Sequence, residues 1–267
     1  MKKFISLFVL VLSLFLFVGC KGKTNTIVIG ASSTPHAVIL EYARPLLEAK
    51  GYKLDIRIYD DYVQPNIALD EGNLDANYFQ HVPYLNDFNA GNGTKIVSAG
   101  AIHYEPLGLY GKDLTDLKDN NKTVYVPNDN SNETRALLLL AQEGLITLKE
   151  GKTVTTGVSK LDIEDAKGLN IIELDAELIP STLKNSAKGT LAVINGNYAL
   201  EAKIDLSTAL AREASDGDAA STYGNIIACQ KGKENSDKIK ALVEVLKSDE
   251  VKEYITKTFG GAVLPSE

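Results

Sequence analysis

Cysteine is nearly absent from this chain: 267 residues hold two, Cys20 and Cys229. Histidine is scarce as well. His36, His81 and His103 lie far apart in sequence and no cysteine cluster accompanies them. Zinc sites usually show closer paired ligands, so no metal is expected. No Gly-x-Ser-x-Gly elbow, Walker loop or glycine-rich dinucleotide fingerprint occurs, so nothing marks a nucleophile or a phosphate cradle. No catalytic residue and no cofactor are expected, and the chain reads as a non-enzyme. Positive charge is in deficit, with 28 Lys and Arg against 35 Asp and Glu, which argues against nucleic acid as a partner. A membrane-spanning run is lacking too: the apolar stretch from Phe4 to Val18 falls short of the ~20 residues a transmembrane helix needs.

What is present begins at the N-terminus. Lys2 and Lys3 precede that apolar stretch, and Phe17-Val18-Gly19-Cys20 follows. A basic start, a short apolar run and a small residue before the break make a secretory signal, here residues 1–19. The order Gly19-Cys20 resembles a bacterial lipobox, in which the cut falls before the cysteine and its sulfur carries a diacylglycerol. Phe17 departs from the usual Leu. Residues 20–25 then read as a lipidated tether that holds the protein on the extracytoplasmic face of a cell membrane. Each buried CH₂ contributes roughly 0.8 kcal/mol to such an anchor. Without Lys2 and Lys3 the mature net charge is −9. With Cys20 lipidated, Cys229 has no intrachain partner; it sits in the apolar run NIIAC and is expected to be buried and inert.

Strand and helix patterns alternate from Thr26 onward. TIVIG (26–30) is β-branched; 36–50 carries apolar residues at helical spacing, ended by Gly51; 54–58 alternates; 66–70 is a short helix; 76–79 and 95–99 are strands around a helix at 83–88. A second block repeats the plan, with strands at 123–126, 171–174 and 191–194 and a strong helix over 132–143. Helices at 236–247 and 249–258 close the chain. The order predicts an α/β fold with a largely parallel sheet. The extended segments 102–110 and 223–230 flank the second block and read as two hinge crossings. Lobe 1 then comprises 26–104 with 228–267, and lobe 2 comprises 105–227. Ligands favour the cleft between such lobes.

Three strand ends point polar and aromatic residues at that cleft: 75–84, 127–135 and 195–198. In the second, a turn precedes a helix start that attracts anions, and Arg135 lies within about one turn of it. A guanidinium binds a carboxylate through two parallel bonds, and Asn132 offers both donor and acceptor. Spacing alone also describes a capped helix with a solvated arginine.

The segments DDYVQPNIALDEGNLDANYFQHVPYL from Asp60, HYEPLGLY from His103, VPNDNSNETRALLLLAQEGLITLK from Val126, LAVINGNYA from Leu191 and YGNIIA from Tyr223 make the chain similar to a known family. It resembles the methionine-binding lipoproteins of bacterial ABC importers, the NlpA/MetQ type, over nearly the whole mature length. The resemblance implies a two-lobed periplasmic-binding-protein fold, type II-like, and a monomeric receptor that hands L-methionine to a permease driven by an ATPase. Carried over by motif, Tyr62, Phe79, His81 and Tyr84 form the apolar side of the pocket. Arg135 clamps the carboxylate with help from Asn225, Asn132 and Asn195 take the ammonium or share the backbone atoms, and Glu105 adds charge near the ammonium. Asn130-Ser131 replaces a common Pro-Thr, which bears on fine specificity. Another small amino acid, a methionine-containing dipeptide, or an enzyme on the same fold are the rival readings.

Overall fold

The structure, a computed structural model, describes residues 25–215 and 217–266. The signal segment, Cys20 and the tether up to residue 24 lie outside these residues. Asn25 already belongs to the fold: its Nδ2 donates to the Gly51 carbonyl at 3.1 Å and its own carbonyl accepts from Lys53 N at 2.9 Å.

Strands β1 (Thr26–Ala31) and β2 (Lys53–Ile58) flank helix α1 (Val38–Ala49). Ile27, Ile29 and Ala31 of β1 are fully buried, as are Ile39, Leu40, Ala43 and Leu47 of α1. The regular helix starts two residues later than the sequence predicts. Pro35 forces the residue before it out of helical conformation, and Thr34 is extended, at φ −145° and ψ 136°. The resulting irregular turn, Ser33–Ala37, buries His36.

Helix α2 (Gln64–Asp70), strand β3 (Ala76–His81), helix α3 (Val82–Asn92) and strand β4 (Ile96–Tyr104) follow. Every residue of β3 is buried, because it lies in the sheet interior with both faces covered. The amides of Asn66, Asn77 and Gln80 bond one another at 2.7–2.9 Å. This fully paired network ties α2 to β3 and fixes the backbone from which Phe79 and His81 project. His81 Nδ1 accepts from Tyr84 N at 3.2 Å and so caps α3, and Gly93 ends that helix in the left-handed region, at φ 71°.

Beyond Glu105-Pro106-Leu107 come β5 (Gly108–Gly111), β6 (Thr123–Pro127), helix α4 (Asn130–Gln142), the short pair β7 (Thr147–Leu148) and β8 (Ile163–Asp165), and β9 (Asn170–Leu174). Then come α5 (Ile179–Asn185), β10 (Leu191–Ile194), α6 (Gly196–Glu201), β11 (Ala211–Arg212) and α7 (Gly217–Thr222). Strand β12 (Asn225–Gln230), helices α8 (Asp237–Leu246) and α9 (Asp249–Phe259), and β13 (Leu264–Pro265) complete the chain. Helices α5 to α7 are too short to show helical periodicity in the sequence.

The strands form two main sheets, ordered β13-β4-β12-β3-β1-β2 and β11-β5-β10-β6-β9. Both are mixed, which corrects the largely parallel expectation. Strand β1 runs parallel to β2 and β3, but β12 is antiparallel to both β3 and β4. The reason is topological: β4 leads out of the first sheet and β12 leads back in beside it, so the two must run in opposite directions. In the second sheet β5 and β10 pair antiparallel, and β10, β6 and β9 run parallel. Helices α1, α8 and α9 contact one another beside the first sheet. In the second, α4 packs through Leu137, Leu139 and Leu140 on one face, and α5 and α6 pack through Ile179, Leu183 and Tyr198 on the other. The fold is α/β, as the sequence implies. Cys229 is buried and unpaired in β12, and burial pushes its thiol up to about 11. Among the described residues no helix is long and apolar enough to cross a membrane.

Candidate functional site

The carboxyl end of β3 faces the carboxyl ends of β6 and β10 across a small cavity. Its lining includes all eight residues singled out from the sequence: Tyr62, Phe79, His81, Tyr84, Asn132, Arg135, Asn195 and Asn225. Glu105 lines it too, with Gln80, Gly196 and Asn197. The last three were not singled out. All three nevertheless lie in segments that the sequence did mark, Gln80 in 75–84 and Gly196 and Asn197 in 195–198.

One wall is aromatic. Tyr62 stacks on Phe79 with ring centroids 5.6 Å apart and meets Tyr84 edge-on at 5.7 Å. Phe79 and Tyr84 also meet edge-on, at 6.1 Å. These geometries favour aromatic packing beyond simple burial. Tyr84 OH donates to the Tyr62 carbonyl at 3.0 Å and locks the loop that carries Tyr62. Hydrogen bonds also join the two sheet systems across the cavity. Tyr62 OH donates to Asn197 Oδ1 at 2.6 Å, and Tyr198 OH donates to the Asp60 carbonyl at 3.2 Å.

The opposite wall is polar and centres on Asn132. Its Oδ1 accepts from Asn195 Nδ2 at 2.9 Å and more weakly from Arg135 Nη1 at 3.5 Å. It also lies 3.3 Å from His81 Nε2. Because His81 Nδ1 accepts from Tyr84 N, the neutral ring carries its proton on Nε2 and donates it to Asn132. Burial, reinforced by the Arg135 charge, lowers this imidazole to about 3. Asn132 Nδ2 donates to both oxygens of Asp129 at 3.0 Å. Both ends of the Asn132 amide are therefore engaged within the protein, and it braces the site.

Two expectations about this wall change. The start of α4 does not wait for an outside anion: Asp129 is its own cap, accepting from Asn132 N at 3.0 Å. Nor is Arg135 free to offer two parallel bonds. Its Nε and Nη2 donate to Glu213 at 3.0 and 2.6 Å, Nη2 also donates to the Glu105 carbonyl at 2.9 Å, and the guanidinium lies over the Tyr223 ring at 4.5 Å. Only Nη1 remains for a ligand. Burial works against the Arg135 charge, but Glu213 outweighs it and holds the guanidinium above its usual value. Glu213 lies 78 positions away, and no local pattern marks it.

A third cluster lies at the floor. His36, His103 and Glu105 are buried with one ligand-type atom each inside 4.8 Å of the others. The histidines that looked too distant for a common site are thus neighbours. His36 and His103 are both placed by hydrogen bonds at each ring nitrogen. Burial lowers His36 to about 4, with Glu105 opposing, and His103 to about 3, so both rings are neutral.

Among the described residues, three buried polar atoms of the lining have no partner: Glu105 Oε2, Asn195 Oδ1 and Asn197 Nδ2. Two acceptors and one donor are thus unpartnered beside one arginine nitrogen. Buried polar groups normally find partners, so these atoms can hydrogen-bond a molecule held in the cavity.

The sequence profile of the NlpA lipoprotein family matches residues 27–267. The chain belongs to the NlpA lipoprotein family. The methionine-binding lipoprotein MetQ of Bacillus subtilis is 40% identical over 252 residues, covering 92% of this chain and 90% of that protein. A solved lipoprotein from Ruminococcus gnavus is 49% identical, with a TM-score of 0.86, over 91% of this chain and all of that one (100%). A nutrient-binding protein from Burkholderia cenocepacia, solved bound to methionine, is 40% identical, with a TM-score of 0.83, over 90% of this chain and 100% of that one. The two-lobed fold of periplasmic substrate-binding proteins is therefore that of this NlpA-family chain. Its relatives include methionine-binding lipoproteins and a substrate-binding protein of an ABC transporter, not enzymes.

One glycine in this NlpA-family site is sterically required. A Cβ on Gly196 would lie 2.7 Å from Glu105 Oε2 and 2.8 Å from Glu105 Cβ. The second contact is to the root of the side chain, which cannot swing away. Gly196→Ala is expected to lower stability by about 1–3 kcal/mol through overpacking, read as a shift in the denaturant midpoint. A midpoint equal to wild type would show that Glu105 and α6 can move apart here.

Proposed function

We propose that this chain is the lipid-anchored, extracytoplasmic receptor of an ABC importer and that it binds L-methionine in the cavity between its lobes. The supporting observation is the division of one buried cavity into an aromatic wall and a polar wall with unpartnered donors and acceptors. Tyr62, Phe79, His81 and Tyr84 suit a thioether, which gains from contact with ring edges. Arg135, through Nη1, and Asn225 take the carboxylate; Asn195, braced by Asn132, takes the ammonium side.

In this reading lobe 1 (26–104 and 228–267) and lobe 2 (105–227) close on the ligand, and Cys20 carries the anchor. The monomeric receptor delivers its cargo to a permease and its ATPase. Titration calorimetry with L-methionine is expected to show one tight site. Asn225 Oδ1 lies 3.0 Å from His36 Nε2, so Asn225→Ala loses a ligand contact and loosens the floor; affinity is expected to fall about tenfold or more. Heat with another amino acid but none with methionine would keep the receptor and reject the cargo. Unchanged affinity in Asn225→Ala would remove that residue from the site.

A further inference from the structure

The floor cluster supports a self-consistent hydrogen-bond polarity. Asn225 Oδ1 accepts, so the His36 proton is on Nε2, 3.0 Å away, and Ser32 Oγ donates to His36 Nδ1 at 2.6 Å. The Glu105 carboxyl accepts from His103 Nε2 at 2.7 Å, so Tyr78 OH donates to His103 Nδ1. Every ring nitrogen is accounted for with both imidazoles neutral. Glu105 Oε1 receives the His103 bond, and among the described residues Oε2 has no partner. That oxygen abuts Gly196, itself a lining residue.

Glu105 is therefore a 5% exposed carboxyl with no cation bonded to its side chain. The titratable and charged groups around it are known. His36, on the turn before α1, lies 3.4 Å from Oε1. His103 is on β4, and Tyr78 on β3 and Tyr62 after β2 both sense its charge. Arg135 on α4 bonds only its backbone carbonyl and is paired to Glu213. A buried carboxylate without a cation is costly and takes up a proton instead. Burial raises Glu105 to about 7, although His36 and Arg135 pull the other way.

We propose that capture of an amino acid displaces one proton from Glu105, whose carboxylate then faces the ligand's ammonium. This deepens the amino-acid reading and rests on it. In the protonated protein the acidic hydrogen resides on Oε2, because Oε1 accepts from His103. An incoming zwitterion brings its own positive charge to that oxygen. The carboxyl O–H breaks, the electron pair stays on Oε2, and the proton leaves to solvent. The ammonium supplies the cation that the folded protein withholds. The ligand thus lowers the carboxyl's affinity for protons, and by linkage affinity for the ligand rises with pH. Glu105 is then a selector for a free, charged α-ammonium.

The test is calorimetry of L-methionine in buffers of differing ionisation enthalpy, where the slope of heat against that enthalpy counts protons. From the Glu105 value of about 7, linkage gives about 0.9 proton released at pH 6, about 0.1 at pH 8, and affinity about tenfold tighter at pH 8. Glu105→Gln keeps the shape and has no proton to lose, so both its proton count and its pH slope are expected to vanish. Glu133 also titrates near 7, raised by burial and by Glu173, but it bonds Lys160 N at 3.0 Å away from the cavity. Glu133→Gln is therefore expected to release protons as wild type does, and it decides the matter should Glu105→Gln fail to fold. Wild-type heats that ignore the buffer at pH 6, release that persists in Glu105→Gln, or release abolished in Glu133→Gln would each overturn the coupling while leaving methionine binding intact. No heat with methionine at any pH overturns the amino-acid reading and the coupling together.

Discussion

Arg135→Ala is expected to destabilise the protein by about 3–5 kcal/mol, the usual consequence of removing one member of a buried ion pair. Arg135 and Glu213 side chains are 3% and 9% exposed. Without the guanidinium, Glu213 stays buried, tied to Leu107 N at 2.8 Å and Tyr104 OH at 3.1 Å, with no cation. Burial pushes the Glu213 carboxyl up, and in the intact protein the Arg135 charge and its hydrogen bonds bring it below the usual carboxylate value. The sign of the pH effect follows. A depressed folded-state value contributes stability above the unfolded value, and that contribution is lost as pH falls through the folded one. In the variant Glu213 is raised instead. The stability gap between wild type and Arg135→Ala is therefore expected to be widest near neutrality and to narrow as pH falls towards about 4. Denaturant titrations at several pH values measure it. A gap that is small, or constant with pH, would mean that Glu213 finds other partners. Methionine affinity is expected to fall roughly 10- to 150-fold, the range for one hydrogen bond to a charged group. Arg135→Lys keeps the charge but not the parallel bonds to Glu213, and is expected to lie between.

Asn132→Ala is expected to lose about 2–6 kcal/mol, since it leaves two buried donors, Asn195 Nδ2 and His81 Nε2, without an acceptor, each costing about 1–3 kcal/mol. Both donors converge on one oxygen, at 2.9 and 3.3 Å, so the loss reaches both sheet systems at once. Asn132→Asp separates geometry from charge. It places a second carboxylate where the amide now lies 3.0 Å from both oxygens of Asp129, and like charges at that distance repel. Its stability is expected to recover as pH falls through the carboxylate range, whereas that of Asn132→Ala is not. Thermal melts of both variants between pH 4 and 8 make the comparison. A loss under 1 kcal/mol in Asn132→Ala would show that the cavity closes without this brace. Ligand affinity is expected to drop with stability in either variant, because Asn195 and His81 lose their anchor.

The positions of most strands and long helices were legible because they follow from local pattern. The β-branched run at 26–30 and the apolar spacing of α1, α8 and α9 each declare one element. Strand direction was not legible: the same alternation serves parallel and antiparallel neighbours, and only the return of β12 beside β4 made both sheets mixed. The eight pocket residues were found through motif resemblance, and the structure brings them to one cavity. What each does there was less accessible. Arg135 was read as a carboxylate clamp from the family resemblance, yet Glu213 takes two of its donors. Asn132 was read as a contact and is also a brace.

By itself the sequence determined the chain's class: a secretory and lipobox-like start, an α/β alternation, no catalytic signature, and the segments that mark the family. Local composition and spacing carry all of these. Tertiary structure alone decided which donors and acceptors are consumed inside the protein and which are left over. Glu213 meets Arg135, and His36 meets Glu105 and His103, only when elements far apart in the sequence pack together. Hydrogen-bond partnership between residues so far apart depends on distances of a few tenths of an ångström, which no spacing along a chain encodes.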